Sequence, residues 1–155
     1  MRVVAASAVQ FQTGLRMPLA EIAALCHAHG AELAVDAVQA LGAVPLDVRA
    51  LDIDYLASGS HKWLMGLDGA GVLYVRADKL SGLRPAIAGG MSYYGAADLL
   101  FAGPGHLRYD RKLRSDARVF EGGMLSSTSC AALDASVGLI LELTVPEIYQ
   151  HVQRY

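Results

Sequence analysis

Apolar and polar positions in this chain come in short blocks, and each block has a period that suggests an element. Val3–Ala6 is apolar and partly β-branched, which predicts a buried strand. The segment from Ser7 to Arg16 is polar, contains Gly14 and reads as a loop. Pro18 suits a first helical turn, and Leu19, Ile22, Ala23, Leu25 and Cys26 then recur at helical spacing up to a stop at Gly30. Leu33–Val35 is a second strand, closed by Asp36, and Ala37 to Gly42 reads as a turn with helical character. Pro45 to Asp52 leads into a third strand, Ile53–Ala57, and Gly69 to Val75 gives a fourth. Arg76 to Leu80 is one helical turn.

The stretch 81–123 is rich in glycine and carries Tyr93, Tyr94, Phe101 and Tyr109, so it reads as a long surface excursion. A helix is predicted from Ser126 or Ser127, with Ala131, Leu133, Val137, Ile140, Leu141 and Leu143 on its apolar stripe. A second helix is predicted from near Pro146, still running at Tyr155. Strands alternating with helices argue an α/β fold whose sheet is mainly parallel and flanked by helices. The expected division is 1–123 as one domain including the excursion, and 124–155 as helices leading away from it.

Composition narrows the classes. Charged residues make up 18% of the 155, below the usual share of about 25%, and hydrophobic residues 54%. The apolar excess argues contact with a partner chain or with further parts of the protein. No run of about 20 apolar residues suggests a membrane span. The net charge of −2, without a basic run, argues against nucleic acid. Met1 and Arg2 lead directly into the first strand with no leader pattern. Cys26 and Cys130 are far apart, match no metal spacing and read as small core residues, with a reducing cytoplasm as the default location.

The chemistry concentrates where two apolar strands stop. One ends at Asp36; the other ends in Ser58, Gly59, Ser60, His61, Lys62 and Trp63. If the strands are parallel, both ends lie on the edge where open α/β sheets bind ligands. A lysine there suits attack on a carbonyl, and a carboxylate opposite suits the pyridine nitrogen of pyridoxal phosphate. Gln39 is spaced to donate to the ring's phenolate oxygen, and Ser58, Ser60 and His61 to hold the phosphate. Each also has an ordinary reading. Lys62 suits a solvated surface, Asp36 a turn cap, Gln39 a surface position, and the serines a turn. Gly66 to Gly71 resembles no nucleotide loop, because it precedes a strand and not a helix.

Asp36–Ala37–Val38–Gln39, Ser60–His61–Lys62–Trp63–Leu64–Met65–Gly66 and Gly69–Val75 together resemble the class V aminotransferase family. This is the cysteine desulfurase-like branch of the fold-type I pyridoxal phosphate enzymes. The wording around Lys62 is nearest to isopenicillin N epimerase-like and selenocysteine lyase-like members. The resemblance implies that Lys62 carries the cofactor as a Schiff base and moves the proton at Cα. It pairs Asp36 with the ring nitrogen, Gln39 with the ring oxygen and His61 with the phosphate. Relatives place a phosphate serine where this chain has Gly59, so Ser58 or Ser60 would replace it. Met124 stands where relatives have threonine or serine reaching across a dimer interface, with Ser126 or Ser127 as substitutes. Phe11 stands where relatives carry an asparagine, with Gln10 beside it.

The resemblance further implies the second half of a large pyridoxal phosphate domain running into the start of a small C-terminal domain. It implies an amino-acid substrate, a homodimer, and an aminotransferase, cysteine desulfurase or selenocysteine lyase reaction in the parent protein. The isolated chain is expected to be inactive. The competing expectation is a truncated, non-catalytic chain that keeps the fold as an assembly or regulatory piece.

Overall fold

The structure, a computed structural model, describes residues 2–155 except 104, 106, 107 and 109, and only the backbone of 97, 99 and 100. Met1 and Tyr109 of the sequence reading therefore lie outside the described residues. Four strands, β1 (Val3–Ser7), β2 (Glu32–Asp36), β3 (Tyr55–Gly59) and β4 (Gly71–Val75), form one sheet in that spatial order. β1 with β2 and β2 with β3 are parallel, in the register Ser7 to Asp36 and Asp36 to Ala57. Helix α1 (Leu19–Ala28) makes the first crossover, and the turns of 37–52 make the second.

Alternation along the strands creates two unlike faces. Leu33, Val35 and Leu56 are buried on one face, where they pack with Ile53 and with Leu19, Ala23 and Cys26 of α1. The other face carries Ala5, Ser7, Ala34, Asp36 and Ala57, which are small or polar and stay exposed or half-buried. Asp54 is fully buried at the entrance to β3. Its Oδ2 accepts from the Leu33 N–H at 2.7 Å and lies 2.8 Å from His27 Nε2, which fastens α1 to the sheet. In the linker before β3, the Ala50 and Arg49 amides donate to Asp47 and hold its carboxyl below the usual carboxylate range.

The expected loop from Ser7 to Arg16 is more ordered than its polarity suggests. Val9 and Arg16 form an antiparallel bridge, and the Gly14 N–H donates to the Gln10 carbonyl at φ +71°. Beyond β4 come α2 (Ala77–Leu80), α3 (Ala96–Phe101), and two 3-10 turns at Gly90–Ser92 and Ala117–Phe120. The last helices are α4 (Ser127–Leu143) and α5 (Val145–Val152).

The chain divides into two compact units, Met1–Tyr74 with Ser126–Tyr155, and Val75–Leu125. The excursion 81–123 lies within the second. There Gly89 touches the Gly122 backbone so closely that a Cβ would fall 1.7 Å from the Gly122 carbonyl oxygen. That contact ties the Phe120–Gly123 turn to its own unit.

Two expectations need correction. Cys130 is exposed rather than a core residue, because α4 buries Ser129 and Ile140 on a different stripe. Helix α5 ends at Val152 with the chain turning at Gln153 and Arg154, so it does not run on to Tyr155. Among the described residues, no single helix is long and apolar enough to cross a membrane.

Candidate active site

The backbone at the end of β2 is held from both sides. The Ala8 N–H donates to the Asp36 carbonyl at 2.8 Å, and the Ala37 N–H donates to the Ala57 carbonyl at 2.8 Å. The Asp36 side chain is exposed on the open face, and its Oδ1 accepts the Val38 N–H at 2.9 Å. Among the described residues, Oδ2 has no hydrogen-bond partner. The chain then coils through residues 37–44. Leu41 N–H bonds back to Ala37 and Val44 N–H to Ala40, which leaves Gln39 half-buried on the turn. Over the open face at this edge lies a shallow cavity of about 420 Å³, lined by Ala5, Ala6, Ser7, Ala34, Val35, Asp36 and Ala57, so that of the expected site residues Asp36 alone borders it.

The loop after β3 closes on itself. Ser60 N–H donates to the Ala70 carbonyl at 3.1 Å, Gly66 N–H to the Ser60 carbonyl at 2.8 Å, and Met65 N–H to the Lys62 carbonyl at 2.9 Å. Met65 completes the turn with φ +54°, and Leu64 is buried beneath it. The His61 ring lies over Gly59, where a Cβ would come within 2.8 Å of ring atom Cε1. A side chain at 59 would require that exposed ring to swing aside. His61 Nδ1 sits 3.6 Å from Asp68 Oδ1. The Asp68 carbonyl in turn accepts the Ser129 hydroxyl at 2.8 Å, so the start of α4 is fastened to this loop. Lys62 is exposed, and its amine pairs with no acid among the described residues.

The profile of the family described as "Aminotransferase class-V" matches residues 1–152. This chain belongs to the class V aminotransferase family. It is 29% identical over 145 residues to the uncharacterized aminotransferase YcbU of Bacillus subtilis (strain 168), covering 94% of this chain and 36% of that protein. To a cysteine desulfurase of Shigella sonnei (strain Ss046) it is 43% identical over 89 residues, 57% of this chain and 22% of the relative. Among solved structures, the apo cysteine desulfurase of Thermococcus onnurineus NA1 superposes with a TM-score of 0.80 at 27% identity. That match covers 99% of this chain and 37% of the other. A variant of C-DES with glycine covalently linked to its PLP cofactor superposes with a TM-score of 0.84 at 32% identity, covering 99% of this chain and 39% of that one. The matches thus cover between 22% and 39% of the length of these relatives. Its mixed α/β sheet is the fold of these fold-type I neighbours.

Within this class V aminotransferase chain, Asp36 is the last residue of β2, Gln39 stands on the turn that follows it, and His61 and Lys62 stand in the loop after β3. The two serines are placed differently. Ser58 lies on the buried face with Leu56, opposite Asp36, and its hydroxyl donates to the Gly59 carbonyl. Ser60 is fully buried, and its hydroxyl donates to the Leu67 carbonyl. Farther along, Met124 is exposed, Ser126 caps α4 by accepting the Ser129 N–H at 3.2 Å, and Ser127 is exposed in the first turn. The Gln10 side chain accepts the Thr13 hydroxyl at 2.7 Å, and Phe11 is exposed.

Sequence reasoning missed Asp54 and Gly42. A carboxylate between Ile53 and the apolar run Tyr55–Ala57 is the available signal for Asp54, since the position carries it into the core. For Gly42 the only signal is a glycine in a turn that already has enough turn residues.

Proposed function

We propose that this chain is the cofactor-carrying portion of a pyridoxal phosphate enzyme that acts on amino acids, with Lys62 as the attachment point. The observation that carries the reading is the parallel register of Asp36 with Ala57, which sets the acid and the lysine loop on one edge of the sheet. The residues present fit the cofactor. Asp36 keeps one carboxylate oxygen unbonded, the Lys62 amine is uncommitted, and the residues bordering the cavity are small enough to leave room for a flat ring. When bound, the cofactor draws electrons from the substrate's Cα.

The chain's own groups then divide the work. Lys62 anchors the cofactor and afterwards holds the proton exchanged at Cα. Asp36 keeps a proton on the ring nitrogen, since a nearby negative charge favours the charged form. Gln39 donates its amide to the ring oxygen, and His61 stands beside the phosphate. Ser58 and Ser60 complete the phosphate loop; their hydroxyls donate to the Gly59 and Leu67 carbonyls and turn from those partners to reach the phosphate.

The parent protein is an aminotransferase, cysteine desulfurase or selenocysteine lyase, acting as a homodimer on an amino acid such as cysteine. A reducing, cytoplasmic setting suits the two free thiols of Cys26 and Cys130. By itself the chain holds the cofactor from one side only and does not turn over substrate, because the cavity is open toward the uncovered sheet face.

The test is Asp36→Asn. Asparagine retains an oxygen for the Val38 N–H but loses the charge. A hydrogen bond to a charged group contributes about 1.5–3 kcal/mol, so cofactor affinity should fall by about tenfold or more. Equal affinities for the two chains in an absorbance titration would remove Asp36 from the site.

A further inference from the structure

We infer that Gly42 is a positioning residue that sets the separation of the Asp36 turn from the Lys62 loop. The inference rests on the functional reading above for its consequence, though not for its geometry. Gly42 is buried, with φ +97°. A Cβ there would lie 2.7 Å from the Trp63 carbonyl oxygen, 3.0 Å from its carbonyl carbon and 3.3 Å from the Leu64 nitrogen. All three are backbone atoms, so no rotamer change relieves the overlap.

Both sides of the contact are stiff. Gly42 lies in the coil whose Ala43 and Val44 N–H groups donate to the Ala40 carbonyl at 2.9 and 2.7 Å, with Ala40 and Ala43 buried. Trp63 lies in the loop closed by Met65 on Lys62 and by Gly66 on Ser60. One turn leads from Asp36 and Gln39; the other holds Lys62 next to the touching peptide. A methyl group at 42 therefore has to move one turn against the other, and with it the acid relative to the amine. Gly30 supplies the control. It shares the left-handed backbone, at φ +66°, but a Cβ there meets nothing within 4 Å.

The experiment compares the wild-type chain with Gly42→Ala and Gly30→Ala. Trp63 is the only tryptophan, so its emission reports the loop without any cofactor. Pyridoxal phosphate is then added. The lysine amine replaces the aldehyde oxygen, which leaves as water. Borohydride delivers hydride to the resulting carbon, giving a stable secondary amine, and peptide mapping reads how the label divides between Lys62, Lys79 and Lys112.

The expected result is a shifted Trp63 emission and about a tenfold smaller Lys62 share in Gly42→Ala, with both readouts unchanged in Gly30→Ala. Wild-type emission and labelling in Gly42→Ala would overturn the inference, as would equal effects of the two substitutions. If Gly42→Ala does not fold, hydrogen exchange of the wild-type chain decides. Amides of Ala43, Val44, Met65 and Gly66 should open as one unit, and independent opening would overturn it. Wild-type label spread evenly over the three lysines would refute the functional reading instead, leaving the emission and exchange results to judge the contact.

Discussion

Lys62→Ala is expected to abolish specific capture of pyridoxal phosphate. On the proposed reading, capture needs a free amine near the cavity that Asp36 borders, and Lys62 stands in the loop after β3, whose Ala57 is in register with Asp36. The remaining lysines, Lys79 and Lys112, belong to the second unit. They offer only non-specific reaction, which gel filtration removes. The wild-type chain should therefore keep a visible absorption band after filtration, and the variant should lose essentially all of it. The folded content should not change, because the Lys62 side chain is exposed and its loop is closed by backbone bonds. A filtered band of equal strength in both chains would show that Lys62 is not the anchor.

Asp54→Ala is expected to lose about 3–5 kcal/mol of stability, the usual result of breaking a buried, charge-assisted cluster from one side. The Asp54 carboxylate is fully buried and satisfies both the Leu33 N–H and His27 Nε2. Its removal strands a buried backbone donor in the central strand and unpins the end of α1. Against a total of about 5–15 kcal/mol for a domain, that loss is a large fraction. Asp54→Asn, which keeps an acceptor and the volume, should lose only about 1–3 kcal/mol. Urea unfolding measures both. A loss below about 1 kcal/mol for the alanine variant would mean that the cluster is not structural.

The strands were legible because each centres on a short apolar run that ends at or next to a polar residue or glycine. The parallel pairing of β1, β2 and β3 followed from the spacing of helix and turn between them. The face that each side chain takes was less legible. Strand periodicity is two, so the role of Ser58 depends on where β3 is registered, and a one-residue slip exchanges the faces. In the structure it sits with Leu56 and not with Asp36.

Helix α4 misled for a related reason. It is apolar on most sides, so its composition does not choose the buried stripe, and Leu141 and Leu143 are exposed along with Cys130. The end of α5 carries neither glycine nor proline to mark it. Asp54 and Gly42 act through partners distant in sequence, which no local pattern contains.

The most direct test of the central claim is the nitrogen-15 shift of ring-labelled pyridoxal phosphate bound at Lys62, near neutral pH, in the wild-type chain and in Asp36→Asn. A carboxylate beside the ring nitrogen predicts a protonated nitrogen in the wild type and a neutral one in the variant. The same shift in both chains would contradict the account, since Asp36 and Lys62 would then not face the same ring.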